Sequence, residues 1–190
     1  MAKTQIRLSG SGGQGMITAG IILAAGAAIY EGKKSIQSQS YGPEARGGAS
    51  KAEVIISDEE IYYPKVMAPD ILVALTQEAA EKYSKDLKPG GILILDDLMV
   101  KKAPAGDWKV YMMPIIRTAA EKVGKAMVAN VVTLGALNEI CGLVQPETLE
   151  KAVLSRVPKG TEELNKNAIN AGIELAKACK GNGGCCCGGK

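Results

Sequence analysis

The sequence contains no histidine, no phenylalanine and a single tryptophan. Without an imidazole the chain lacks the usual general base near neutral pH and the commonest metal ligand. Aromatic residues are only 4% of the total, which leaves no stacking platform for single-stranded nucleic acid. An excess of one charge is also missing. Lys and Arg number 23 against 20 Asp and Glu, a net +3, and the basic residues are scattered, so there is no nucleic-acid footprint. Long apolar runs are absent as well. The longest, Met16 to Tyr30, is broken by Thr18, Gly20 and Gly26 and falls short of the roughly 18 residues of a membrane span, which excludes a membrane role on this reading. Met1-Ala2-Lys3-Thr4 leads straight into a strand-like run, so no secretion signal and a cytoplasmic location are expected.

The five cysteines are Cys141, Cys179, Cys185, Cys186 and Cys187. None forms a C-x-x-C pair, so the spacing of a zinc site or a ferredoxin-type cluster is missing, and no metal site is expected. The odd count argues against a disulfide framework. Residues 181–190, rich in Gly and Cys, are expected to form a flexible tail, with adventitious soft-metal binding as the alternative.

What remains is an ordinary globular composition, 46% hydrophobic in 190 residues, enough for one well-buried core. Ile6-Arg7-Leu8 reads as a strand, Ser9 to Gly15 as a loop and Met16 to Glu31 as a helix. Further strands are expected at Ser35–Ser40 and Ala52–Ser57, flanking a loop too long for a tight turn. Asp70 to Leu75 is a continuous apolar run, as in a strand buried on both faces. Thr76 is placed to cap a helix from Gln77 to Leu87. Ile92 to Leu95 follows as a second buried strand, and this βαβ unit implies a largely parallel sheet. A strand is expected at Lys109–Met113, with helices at Arg117–Lys125, Asn130–Leu143, Thr148–Val157 and Thr161–Lys180. The helix from Asn130 carries apolar residues around most of its circumference and must be covered on most sides. In the last helix Leu164, Ala168, Ala171, Leu175 and Cys179 fall on one face. The expected architecture is α/β: a single three-layer domain over residues 1–180, with a largely parallel open sheet flanked by helices.

Gly10-Ser11-Gly12-Gly13-Gln14-Gly15 satisfies G-x-G-x-x-G between a strand and a helix, where glycines permit a tight turn and the helix N-terminus offers free N–H groups. A dinucleotide site also needs an acid about 20 residues further on, at the end of the second strand, and Ser35–Ser40 has none. A phosphate-binding P-loop is excluded because no Gly-Lys-Ser/Thr follows. Two readings stay open: contact with an anionic or cofactor group, or close strand–helix packing alone.

Gly12-Gly13-Gln14-Gly15 resembles the G-G-Q-G signature of the gamma subunits of 2-oxoacid:ferredoxin oxidoreductases. Ser40-Tyr41-Gly42-Pro43-Glu44-Ala45-Arg46-Gly47-Gly48 resembles the family's second signature, in the form of its 2-oxoglutarate branch. The similarity continues through Ser57 to Ile61, Pro69 to Val73 and Gly90 to Leu93. Ser11 departs from the family, which carries a bulkier residue there, and the cysteine tail is unlike it. The resemblance implies a fold similar to the pyruvate:ferredoxin oxidoreductase gamma domain. It implies alpha and beta partner subunits, with or without a ferredoxin-like delta subunit, and ferredoxin as electron acceptor. The complex would use thiamine diphosphate, Mg2+, iron–sulfur clusters and coenzyme A, none bound by this chain alone. No thiamine-type motif is found in the sequence, in keeping with a cofactor-free chain. The alternatives are a free-standing dinucleotide-binding oxidoreductase and a non-catalytic scaffold, the latter suggested by the apolar helix at Asn130–Leu143.

No residue of this chain is assigned a catalytic role. The candidate cofactor-binding or interface residues are Gly10, Ser11, Gly12, Gly13, Gln14, Gly15, Tyr41, Glu44 and Arg46. Gln14 either donates to a bound oxygen or holds its own loop. Arg46 offers a planar fork to a carboxylate or phosphate, with a local pair to Glu44 as the alternative. Tyr41 either stacks and hydrogen-bonds in that loop or packs. Asp96 and Asp97, at a strand's C-terminal end, are expected to cap the next segment or face water.

Overall fold

The computed structural model describes residues 3–40 and 49–181. Its strands are β1 (Thr4–Ser11), β2 (Lys34–Ser40), β3 (Ala49–Ser57), β4 (Ile71–Ala74), β5 (Gly91–Asp96) and β6 (Trp108–Met113). Its helices are α1 (Met16–Ala25), α2 (Gln77–Tyr83), α3 (Ile115–Glu121), α4 (Ala129–Cys141), α5 (Pro146–Leu154) and α6 (Glu162–Gly181). A wider π turn, Gly26–Tyr30, continues α1.

All six strands join one sheet in the order β2-β3-β1-β4-β5-β6. The run β1-β4-β5-β6 is parallel, as the apolar βαβ pattern predicts. Strand β3 lies antiparallel to both β1 and β2. The two strands expected around the long loop therefore pair with each other as a wide hairpin. Its closing segment, residues 41–48, lies outside the described residues, as do residues 182–190 of the expected tail and Cys185, Cys186 and Cys187 within it.

The two faces are covered unequally. Alternate residues of the strands, Ile6, Leu8, Val54, Ile56, Ile71, Val73 and Ile94, pack against α1 and α3 to α6. The opposite face packs Leu72, Ala74, Leu93 and Leu95 under α2 and its neighbour Val100. Pairing with β3 extends β1 further than expected: Ser9 lies opposite Lys51, Gly10 opposite Ser50 and Ser11 opposite Ala49, so these three belong to the strand and the loop shortens to Gly12–Gly15. Thr76 caps α2 as expected, its hydroxyl accepting from the Ala79 N–H at 3.3 Å. The third helix starts and stops earlier than Arg117–Lys125. The Ile116 N–H already donates to Asp96, and the Lys125 N–H turns back to the Ala119 carbonyl.

Helix α4 is buried almost all round, which removes the motive for reading it as a scaffold surface. Its cover is α6, and the seam is narrower than leucine packing allows. A Cβ on Gly172 would stand 2.1 Å from the Val132 carbonyl oxygen, and one on Gly135 would stand 2.3 Å from that of Ile169. The buried face of α6 accordingly includes Asn165, Gly172 and Ala176 with Ala168, Ala171 and Cys179, while Leu164 and Leu175 are only partly buried. Ala168, Ala171 and Cys179 are thus buried as expected, while the two leucines give way to Asn165, Gly172 and Ala176 because backbone-to-backbone contact selects small side chains.

Gly172→Ala is expected to destabilise the protein by about 3 kcal/mol, the upper end of the usual overpacking cost, since the obstacle is backbone. A shift of the denaturant midpoint at unchanged m-value is the measurement. Ala171→Gly, beside it, should change the midpoint far less.

Candidate functional site: the glycine loop at the end of the central strand

Strand β1 carries the chain to the C-terminal end of the parallel strands, where open α/β sheets place their ligands. There the backbone turns through Gly12–Gly15 into α1. Gly13 and Gly15 have φ of 91° and 73°, the left-handed region that side chains rarely adopt. Gln14 closes the turn on itself: its side-chain oxygen accepts from the Ser11 N–H at 2.8 Å. A Cβ on Gly10 would come within 2.3 Å of that oxygen, so a side chain at Gly10 would displace the Gln14 amide from this bond. The Gln14 oxygen thus holds its own loop, and the side-chain NH2 is a separate donor.

Two further residues fix the loop. Ser50 donates its hydroxyl to the Gly10 carbonyl at 3.2 Å, and the Asn130 amide at the start of α4 reaches the Gly15 carbonyl at 3.5 Å. A Cβ on Gly15 would meet that amide at 2.7 Å. Sequence reasoning passed over both residues, because each comes from an element distant in the chain and neither sits in a recognisable motif.

Gly12 and Gly13 are exposed at the lip of a cavity of about 190 Å3, lined also by Ser11, Met16, Ile17 and Ser50. That is below the roughly 300 Å3 at which small-molecule sites begin, so the described residues alone do not enclose a nucleotide at this point. The strand order agrees. A dinucleotide fold places the strand after α1 parallel and next to β1, whereas here antiparallel β3 intervenes. Tyr41, Glu44 and Arg46 lie outside the described residues. Their flanks do not: Ser40 pairs with Lys51, and Ala49 with Ser11. Both signature segments therefore leave the sheet at the same end.

Asp96 caps the next segment as the sequence suggests, whereas Asp97 is engaged in an ion pair. Asp96 is fully buried and accepts from the Leu98, Met99 and Ile116 N–H groups at 2.8–3.0 Å, fixing the end of β5 and the start of α3. Asp97 pairs with Arg117 at 2.9 Å. Burial pushes the Asp96 carboxyl above the ordinary range, helped by the neighbouring Asp97 charge, and the three N–H bonds only partly oppose it. A larger cavity, about 360 Å3, lies at the other end of the sheet between Thr4, Asp70, Lys88 and Cys141. Its polar groups are occupied: Lys88 pairs with Asp70, and burial pushes the Cys141 thiol up to about 12, which leaves it un-ionised and unreactive. Among the described residues no group of three or more Cys, Asp or Glu is placed to hold a metal ion. No helix among them is long and apolar enough to cross a membrane.

The six-stranded mixed sheet, with one antiparallel hairpin and a self-closed glycine loop at the end of its central strand, has its solved counterpart in an oxoacid ferredoxin oxidoreductase gamma subunit. The chain belongs to the pyruvate ferredoxin/flavodoxin oxidoreductase family, which it matches over residues 5–175. It is 52% identical over 177 residues to the 2-oxoglutarate synthase subunit KorC of Methanocaldococcus jannaschii, covering 92% of this chain and 95% of that protein. Among solved structures, it is similar to the gamma subunit of a keto/oxoacid ferredoxin oxidoreductase from Geobacter sulfurreducens, with a TM-score of 0.87, 52% identity and coverage of 94% and 98%. It also resembles the 2-oxoglutarate:ferredoxin oxidoreductase of Magnetococcus marinus, solved with 2-oxoglutarate, coenzyme A and succinyl-CoA. There the TM-score is 0.82 and the identity 26%, and 94% of this chain matches 32% of a longer one.

Asp96→Asn is expected to cost about 1–3 kcal/mol at neutral pH, because its NH2 would face a buried N–H donor. The wild type has the opposite pH sign to a stabilising carboxylate. With the folded value raised above 3.8, the folded state binds the extra proton, and stability falls as pH rises through that interval. Melting temperatures of both proteins from about pH 3 to 6 test this, since the variant should lack that fall.

Proposed function

We propose that the chain is the gamma subunit of a 2-oxoglutarate:ferredoxin oxidoreductase, or 2-oxoglutarate synthase. The observation that carries the reading is identity at half of all positions, along nearly the whole of both chains, with a protein named as a 2-oxoglutarate synthase subunit. The complex oxidatively decarboxylates 2-oxoglutarate, passes two electrons to ferredoxin and transfers the succinyl group to coenzyme A, releasing CO2. Thiamine diphosphate, Mg2+ and the iron–sulfur clusters belong to the sister alpha and beta subunits, with or without a ferredoxin-like delta subunit. They supply the decarboxylation and electron-transfer chemistry, which side chains of this type cannot perform unaided. The complex works in the cytoplasm.

In this reading the chain's own task is to complete the catalytic assembly with a preformed edge. The glycine loop is already closed by Gln14 and braced by Ser50 and Asn130, so no ordering cost falls on assembly there. Exposed Gly12 and Gly13 let another backbone or ligand approach closely. Arg46 presents its fork to a carboxylate or phosphate across the subunit boundary.

The test is co-production with the sister subunits, followed by kcat/KM for 2-oxoglutarate, pyruvate and branched-chain 2-oxoacids. A preference for 2-oxoglutarate is expected, together with an isolated chain that is colourless and inactive. A preference for pyruvate would overturn the substrate. Arg46→Ala should leave the melting temperature of the isolated subunit unchanged but lower assembly or kcat/KM. Loss of one partner of a desolvated charge pair costs about 2–5 kcal/mol, and each 1.4 kcal/mol or so is tenfold. Arg46→Lys should rescue poorly. If both variants assemble and turn over like the parent, Arg46 is a solvated loop charge.

A further inference from the structure

Helix α2 ends on Tyr83, which is 8% exposed and lies on the face of the sheet opposite α1. Its hydroxyl donates to the Ala49 carbonyl at 3.0 Å, a buried bond between residues 34 apart in the chain. Ala49 opens β3, and among the described residues the last pair of β2 with β3 is Ser40 with Lys51. The Ala49 carbonyl therefore lies past the end of that ladder, and a side chain supplies its donor, as a buried backbone acceptor requires. Ala49 faces Ser11 across the sheet, and its neighbour Ser50 holds the Gly10 carbonyl. One residue thus separates the Tyr83 bond from the brace of the glycine loop.

The ring that carries this hydroxyl has little freedom. The Arg7 guanidinium lies 5.5 Å from its centroid, and the Lys51 and Lys82 ammonium groups lie at 5.8 and 5.7 Å. Arg7, 2% exposed in the middle of β1, and Lys51 bind the same Glu53 oxygen at 2.9 and 2.8 Å. Arg7 also pairs with Asp86 at 2.7 Å. Two cations pinned by one carboxylate fix the ring, and the ring aims its oxygen at Ala49. Burial pushes the Tyr83 phenol above its usual range, against the pull of the Arg7 charge, so the hydroxyl keeps its proton and donates. The loop is thereby held from two faces: Asn130 reaches it from α4, and Tyr83 holds the adjoining strand from α2.

We infer that Tyr83 is a positioning residue of the assembled enzyme: through the Ala49 carbonyl it sets the strand end that carries Ser50, and through Ser50 the place of the glycine loop. Buried under α2, it acts only through this backbone. The inference rests on the proposed function, which puts the glycine loop at the edge of the catalytic assembly. Without the bond, the first residues of β3 are free to shift and carry the Ser50–Gly10 contact with them. A displacement of about 1 Å at a reacting site can cost about 100-fold in rate. The packing of the ring is a separate matter, because Phe retains it, and removal of the oxygen tests the bond alone.

The experiment compares the parent with Tyr83→Phe and Leu87→Val, each full chain both co-produced with the sister subunits and purified alone. Leu87 belongs to the same apolar layer, and its side chain can make no hydrogen bond to β3, so it reports what loosening that layer does by itself. Amide exchange is measured on the isolated chains, and kcat and KM for 2-oxoglutarate and coenzyme A on the complexes, with ferredoxin as acceptor. Tyr83→Phe should speed exchange at residues 10–15 and 49–51 about tenfold, the factor that corresponds to one hydrogen bond, and should raise at least one KM by a similar factor. Leu87→Val should melt lower yet keep the parental exchange at those residues and both parental KM values. A Tyr83→Phe complex with both KM values unchanged overturns the inference, since a fall in kcat alone marks a smaller fraction of intact enzyme. Equal acceleration of exchange in the two variants overturns it as well. A parental complex that reduces no ferredoxin with 2-oxoglutarate sinks the functional reading instead, and the exchange comparison still decides whether Tyr83 sets the loop. The same comparison decides if Tyr83→Phe does not assemble.

Discussion

The backbone ladder of β1 is the constraint on which the rest depends. This strand is bonded along both edges, antiparallel to β3 over Thr4–Ser11 and parallel to β4 over Ile6–Ser9. Because its residues alternate, Ile6 and Leu8 enter the core under α1 and α4, while Arg7 and Ser9 face the other side. The same ladder delivers Gly10 and Ser11 beside Ser50 and Ala49, which sets where the glycine loop begins. A one-residue slip would exchange the two faces and put a guanidinium into the apolar layer.

The two ends of the molecule do different work from this one strand. At its C-terminal end the turn is closed by internal hydrogen bonds and lined by residues without side chains, suited to close approach by something else. At its N-terminal end a buried cation, Arg7, holds the irregular segment after β3 by the Val66 carbonyl. A buried ion cluster is weak support for stability, because desolvation offsets most of the attraction. Its value here is in fixing the position of the segment it grips. Glu31 performs a similar tie between the turn after α1 and the N–H of Gln145 ahead of α5. Burial acts to raise its carboxyl, but Lys33, the Gln145 N–H and Thr148 outweigh it and hold the group below 4.5. That contribution is complete above the ordinary value and lost as pH falls through the folded one.

Tertiary contact also explains where simple periodicity misled. The last helix was legible as amphipathic, with Ala168, Ala171 and Cys179 buried as expected, but its two leucines give way to Asn165, Gly172 and Ala176, because α4 and α6 approach until backbone meets backbone. A hydrophobicity pattern ranks leucine above glycine and cannot register such a contact.

Local order in the chain was enough for the α/β class, for the strands at 71–74 and 91–96, for the Thr76 cap and for the glycine turn. These depend on apolar runs, turn residues and side chain-to-backbone bonds only a few positions apart. The two signature segments were readable for the same reason, and with them the family. What only the tertiary structure decided is which strand lies beside β1, and that Ser50 and Asn130 brace the glycine loop from 40 and 115 residues away. Arg7 is the sharpest case: inside a strand it reads as a solvent-facing charge. Its burial follows from Glu53, Asp86 and Val66, whose approach no local pattern encodes, because such partners meet only when the sheet and its covering segments close together.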